Sequence, residues 1–115
     1  MYESLTKFIP RLEKSNSEGK SLANSIDRFI GAVLRFHIDN PEFQLGNYNE
    51  ILRSNQRKIF ESDISELDGE IVVAMIFSVV RNARLDFGFL TDAIEKGKIK
   101  KWLLRLKEID EQHHD

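Results

Sequence analysis

Ser65-Glu66-Leu67-Asp68-Gly69-Glu70 leads into Ile71-Val72-Val73-Ala74-Met75-Ile76-Phe77-Ser78-Val79-Val80, and the reading of this stretch decides the fold. The run from Ile71 to Val80 is polar only at Ser78. Apolarity all round marks a central buried segment, and its valines and isoleucines permit a strand as well as a helix. Three features favour the helix. Ser65-x-x-Asp68 is a capping signal, with Asp68 and Glu70 well placed near a helix N-terminus. Ala74 and Met75 are good helix formers. No second convincing strand exists elsewhere in the chain, and a lone strand has nowhere to put its hydrogen bonds. The spacing predicts a central helix over about 69–82.

Working outward, the other segments read as helices that wrap it. Leu5, Phe8, Ile9 and Leu12 form a helical stripe, which Pro10 forces to start late or to kink. Ser15 to Ser21, with Gly19, reads as a polar linker. Leu22, Ile26, Phe29, Ile30, Val33 and Leu34 then make an amphipathic helix of about four turns. Asp39-Asn40-Pro41-Glu42 marks a stop, because proline pushes Asn40 out of helical geometry; Phe43 and Leu45 pin the loop that follows. Tyr48, Ile51 and Leu52 suggest a short helix after Gly46, followed by a polar, poorly periodic stretch to Glu61. Phe89, Leu90, Ala93 and Ile94 form a short helix closed by Gly97, a natural left-handed cap. Ile99, Trp102, Leu103, Leu106 and Ile109 form the last stripe. The expected architecture is all-α: one domain over 1–115, a compact bundle of about five helices around the central one.

Composition narrows the function classes. A chain of 115 residues fits one domain with one core. Its 41% apolar and 31% charged residues are those of an ordinary folded domain rather than a disordered one. The absence of cysteine removes disulfides, thiolate nucleophiles and cysteine metal sites together. The N-terminus lacks the pattern of a secretory signal, and the longest apolar run is too short to cross a bilayer, so a cytoplasmic location without membrane contact is expected. Net charge is only -2, but it is unevenly placed. Residues 1–80 carry 9 basic and 12 acidic groups, residues 81–107 carry 8 and 3, and the tail carries four acids.

The C-terminal half, over about residues 63–110, resembles a family of small bacterial proteins classed as a domain of unknown function. The resemblance lies in Val80, Arg81, Arg84, Gly88, Gly97, Ile99, Trp102, Leu103, Arg105, Leu106, Lys107, Ile109 and Asp110, and more weakly in Tyr48-Asn-Glu-Ile-Leu52. The family pattern is Val-Arg-x-Glu-Arg-Phe-x-x-Gly, then Gly-x-Ile-x-x-Trp-Leu-x-Arg-Leu-Lys-x-Ile-Asp. This chain departs from it at Ala83, where the family has glutamate, at Leu85, where it has phenylalanine, and at Phe87, where it has aspartate. Asp86 stands one residue early as a substitute. The resemblance implies a helical fold and a bacterial origin, and it implies no activity.

Candidate sites follow from the same segment. Arg81 and Arg84 lie three residues apart at the end of the central helix, where cations complement its dipole and bind the last carbonyls or an anion. With Asp86 and Gly88 they form a polar junction that reads first as architecture and second as a partner site. Lys98, Lys101 and Arg105 share one helix face, with Lys100 and Lys107 nearby, and such a face binds phosphates without reading bases. Ala93, Gly97 and Leu103 also fall at helix-turn-helix spacing. Lys96 and Lys98, however, flank the glycine where that motif packs apolar residues, and Glu108, Asp110 and Glu111 would lie close to DNA. The lysines therefore read as a solvated face, with nucleic-acid binding as the alternative.

No motif supplies catalysis. His-Glu-x-x-His and zinc spacings are absent, Asp63-x-Ser65-x-Leu67 fails a calcium loop, and no nucleophile elbow occurs. His37 reads as a helix-terminal surface residue, and His113-His114 belongs to the tail. Trp102 belongs to the core stripe, whereas Leu104 and Phe87 fit their stripes poorly and, exposed together, would make an apolar patch. The expectation is a protein that is not an enzyme and needs no metal or cofactor. It acts as an interaction or accessory module on an unknown protein partner or on a second copy of itself. A nucleic-acid-binding regulator is the alternative, and an enzyme assembled from distant helices comes after it.

Overall fold

The computed structural model describes residues 1–13, 19–83 and 85–112. Among them eight α-helical segments follow in order: α1 (Glu3–Thr6), α2 (Ile9–Glu13), α3 (Gly19–Asp39), α4 (Tyr48–Ser54), α5 (Gln56–Glu61), α6 (Gly69–Asn82), α7 (Phe87–Glu95) and α8 (Lys98–Gln112). No strand occurs among the described residues, and no helix is long and apolar enough to cross a membrane.

The apolar run is helix α6, over the predicted bounds. Ile71 to Phe77, Val79 and Val80 are all buried, because α6 has α3, α4, α7 and α8 packed around it. The start of α6 differs from expectation in mechanism. Asp68 occupies the N-cap position, but its side chain makes no capping hydrogen bond. Its carboxylate lies instead 3.6 Å from the Lys58 ammonium, and Ser65 sits within a 3-10 turn over Ile64–Glu66. What fixes the start of the helix is Arg105, whose Nε donates to the Leu67 carbonyl at 2.9 Å.

At the N-terminus Pro10 divides the stripe, with α1 ending at Thr6 and Pro10 taking the second position of α2, where a missing N–H costs nothing. The linker reading needs correction at its end. Residues 14–18 lie outside the described residues, but Gly19 to Ser21 already belong to α3, which runs for 21 residues rather than about four turns. Past Gly19 no glycine or proline interrupts Lys20 to Ile30, and helix formers such as Lys20 and Ala23 extend the helix backwards. Asn40 ends it, donating from Nδ2 to the Phe36 carbonyl at 3.0 Å. Gln44 then adopts a left-handed conformation (φ 54°) between two 3-10 turns, so that Phe43 and Leu45 both reach the core.

The stretch after Asn55 is a helix that periodicity missed. No face of α5 is apolar enough to show, since Phe60 points outward; Ile59 alone packs against the core, and the exposed Arg57–Glu61 pair at 3.3 Å adds little. Leu34, expected in the buried stripe of α3, is exposed; the Leu22 side chain lies outside those described. The last stripe is as expected, with Ile99, Leu103 and Leu106 buried and Trp102 and Ile109 packed against the core.

Tyr2 joins the ends of the bundle. Its ring stacks on Phe36 at 5.8 Å and meets Phe43 edge-on at 6.1 Å. Its hydroxyl lies directly over Gly69, where a methyl group would overlap it. We expect Gly69→Ala to destabilise the fold by about 1–2 kcal/mol through overpacking, and to cost less in a Tyr2→Phe background. Equal losses in both backgrounds, measured by thermal melts, would mean that the two residues do not collide.

Candidate interaction surface

The polar junction begins where α6 stops. Asn82 donates from Nδ2 to the Ser78 carbonyl at 2.8 Å, and the N–H groups of Ala83, Leu85 and Asp86 take the carbonyls of Val79, Val80 and Asn82. The helix end is thereby satisfied by Asn82 and by backbone, which leaves the Arg81 side chain exposed and without a hydrogen bond or ion pair to any described residue. Arg84 lies outside the described residues. Asp86 is the N-cap of α7, its Oδ1 accepting from the Gly88 N–H at 3.1 Å. Aspartate is favoured there because it satisfies one of the unpaired donors of the first turn. Gly88 is exposed, and its role is the close approach of Asp86.

Beyond this cap α7 and α8 form a hairpin through Lys96 and Gly97. Gly97 has φ 77°, the left-handed conformation expected at this helix end. Phe89 and Leu104 stand eight and seven residues from Gly97, level with each other on two packed helices. Both are exposed, by 51% and 43%, and Leu85, just before α7, is 91% exposed. The Phe87 side chain, expected to share this patch, lies outside those described. By helical spacing Asp92 neighbours Phe89 on α7, and Lys100, Lys101 and Lys107 neighbour Leu104 on α8; all four are exposed.

The expected basic face does not assemble in full. Lys98 and Lys101 are exposed, but Arg105 is turned inward, with its side chain 11% exposed. Besides the Leu67 carbonyl it holds Glu108 through a 2.7 Å ion pair. Position 105 faces the segment before α6 rather than solvent, because the Ile64–Glu66 turn packs on α8 there. Of the three cations proposed for phosphate, one is therefore committed to the fold.

Two features escaped the sequence reading. His37, read as a surface residue, packs its ring 5.0 Å from that of Phe77, and its buried Nδ1 has no hydrogen-bond partner. The second is an open groove of about 1140 Å³ between α1, the start of α6 and the end of α8, with Tyr2, Glu3, Asp68, Glu70, Arg105 and Asp110 among its walls. Asp110 accepts from the Tyr2 N–H at 2.8 Å and from the Met1 amino group at 3.1 Å. Its only trace in the sequence is the Ile109-Asp110 pair that closes the family pattern; Tyr2 left none. Among the described residues no three histidine, aspartate or glutamate side chains gather closely enough to hold a metal ion. His113 and His114 lie outside the described residues.

Burial raises the Tyr2 phenol from its usual 10 to about 12, with Asp110, Glu70 and Asp68 adding to the shift. A group that holds its proton more tightly when folded stabilises the fold below its unfolded pKa and loses that contribution as pH rises through the folded one. Melting temperature should therefore fall between pH 10 and pH 12, and fall less in Tyr2→Phe. Identical alkaline profiles for the two proteins would refute the assignment.

Compared with protein-family models, with curated proteins and with solved structures, the chain gives no match.

Proposed function

We propose that this chain is a non-catalytic protein-interaction module of the bacterial cytoplasm, and that its contact surface is the α7–α8 hairpin. One observation carries this reading: Phe89 and Leu104 on the hairpin, and Leu85 just before it, stand exposed, whereas Leu90, Ala93, Ile94, Ile99, Leu103 and Leu106 of the same hairpin are buried. Apolar groups that the core does not need, with Asp92 beside Phe89 and lysines beside Leu104, suit an amphipathic helix of a partner protein.

The test is proximity labelling in bacterial cells with the wild-type chain and with Phe89→Ser/Leu104→Ser, both shown to be folded by circular dichroism. A discrete set of partners lost in the double variant is expected. The same set captured by both proteins would remove the hairpin as the contact surface.

The second reading, a nucleic-acid-binding regulator, keeps Lys98 and Lys101, exposed on α8, and loses Arg105. Fluorescence anisotropy with labelled duplex and single-stranded DNA separates the two readings. Binding at physiological salt that Lys98→Glu/Lys101→Glu abolishes would replace the interaction reading, because phosphate contacts must respond to both salt and charge.

A further inference from the structure

Helix α3 has an outer seam that its own fold leaves uncovered. Its inner face places Ile26, Phe29, Val33 and Phe36 in the core. The opposite face presents Asn24, Asp27, Arg28, Gly31, Leu34, Arg35 and Ile38, all exposed, with Ile38 at 68%. Asp27, Gly31, Leu34 and Ile38 follow the four-three-four spacing of a coiled-coil seam, and so do Asn24, Arg28, Gly31 and Arg35, the line that the first would meet in a pair centred on Gly31. A methyl group built on Gly31 would meet nothing within 4 Å, so the backbone there is open to close approach.

We propose that α3 pairs antiparallel with α3 of a second copy of this chain, about a two-fold axis at Gly31. Charge decides both the occupant and the direction. Asp27 and Arg35 lie four residues either side of Gly31, so an antiparallel pair sets each Asp27 against the partner's Arg35, twice over. A parallel pair would set aspartate on aspartate and arginine on arginine, which is destabilising. Among the described residues Asp27 makes no ion pair within its own chain, and Arg35 reaches only the exposed Asp39, at 3.1 Å.

The same register lays the aliphatic stem of Arg28 over the partner's Leu34 and brings Asn24 to Ile38. An isologous contact of this kind is self-complementary and closes at two copies. Residues 24–38 span about four helical turns, and one such pair covers less than the roughly 1,200 Å² of stable complexes. The association is therefore weak, in the micromolar range.

The experiment is sedimentation equilibrium from about 10 µM to about 1 mM, the span over which weak contacts populate. The apparent mass is expected to rise from 13.4 kDa towards twice that value. Leu34→Glu/Ile38→Glu should hold it at one chain. Asp27→Arg should weaken association at least tenfold, and Asp27→Arg with Arg35→Asp should recover it. Because the chain has no cysteine, Gly31→Cys places a single thiol on the axis. Mild oxidation should link two such chains, while Phe60→Cys, on an exposed position of α5, should stay single.

A chain that remains single throughout, with no link at position 31, would overturn the proposal. So would a dimer that survives Leu34→Glu/Ile38→Glu, or a charge swap that restores nothing. A dimer lost instead in Phe89→Ser/Leu104→Ser would move the self-contact to the hairpin. The hairpin reading is tested separately by partner capture, so either can fail alone.

Discussion

Ile76→Ala is expected to remove about 2–5 kcal/mol of stability, the range seen when a fully buried isoleucine leaves a cavity. Ile76 lies in the middle of α6 with no solvent exposure, and the four helices packed around α6 restrict how far neighbours can move in to fill the space. Domains of this size are stable by only about 5–15 kcal/mol, so the variant should sit near the edge of folding, with Tm lowered by roughly 15 °C or more. Denaturant melts followed by circular dichroism give the value. Ile38→Ala is the control, removing the same atoms from the outer face of α3, and should change stability by less than about 0.5 kcal/mol in dilute protein. A loss below about 1 kcal/mol at Ile76 would show that α6 is not the close-packed centre of the bundle.

Arg105→Ala should cost about 2–3 kcal/mol. The guanidinium bonds the Leu67 carbonyl across 38 residues and holds Glu108 as well, so truncation frees the segment that leads into α6. Arg105→Met keeps the apolar stem and loses both bonds, and should recover only the packing part. Lys101→Ala, on the exposed side of the same helix, should change stability by less than about 0.5 kcal/mol. Amide exchange localises the effect: protection should fall first over residues 64–72, while α7 stays protected. A neutral Arg105→Ala would return this residue to the solvated face that the sequence alone suggested.

Position 105 shows where sequence reading stops. Periodicity assigns a residue to a helix face, and Arg105 does fall on the face of Lys98 and Lys101. Nothing in that pattern says that a 3-10 turn forty residues earlier packs against the face. The same limit applies at Leu34, which lies on the margin of the α3 stripe and turns out to face solvent. Apolar periodicity made α8 legible, an unbroken apolar run with helix formers and no second strand to pair with made α6 legible over 69–82, and chain punctuation made Pro10, Asn40 and Gly97 legible as ends. Helix α5 was not legible, because Ile59 alone on it packs against the core and a single apolar contact leaves no periodicity. Nor was the role of Tyr2, which depends on Gly69 and Asp110 arriving from the far end of the chain.

Among the described residues the polar groups that the fold draws on most, at Tyr2 and Arg105, lie apart from the outer face of α3 and from Phe89 and Leu104. The core and these two surfaces are thus written in separate sets of letters. Substitutions at Asp27, Leu34 and Ile38, or at Phe89 and Leu104, change what the surface offers without touching the groups that α6 needs. A lineage built on this bundle is free to rewrite these surfaces by single steps, each nearly neutral for the fold.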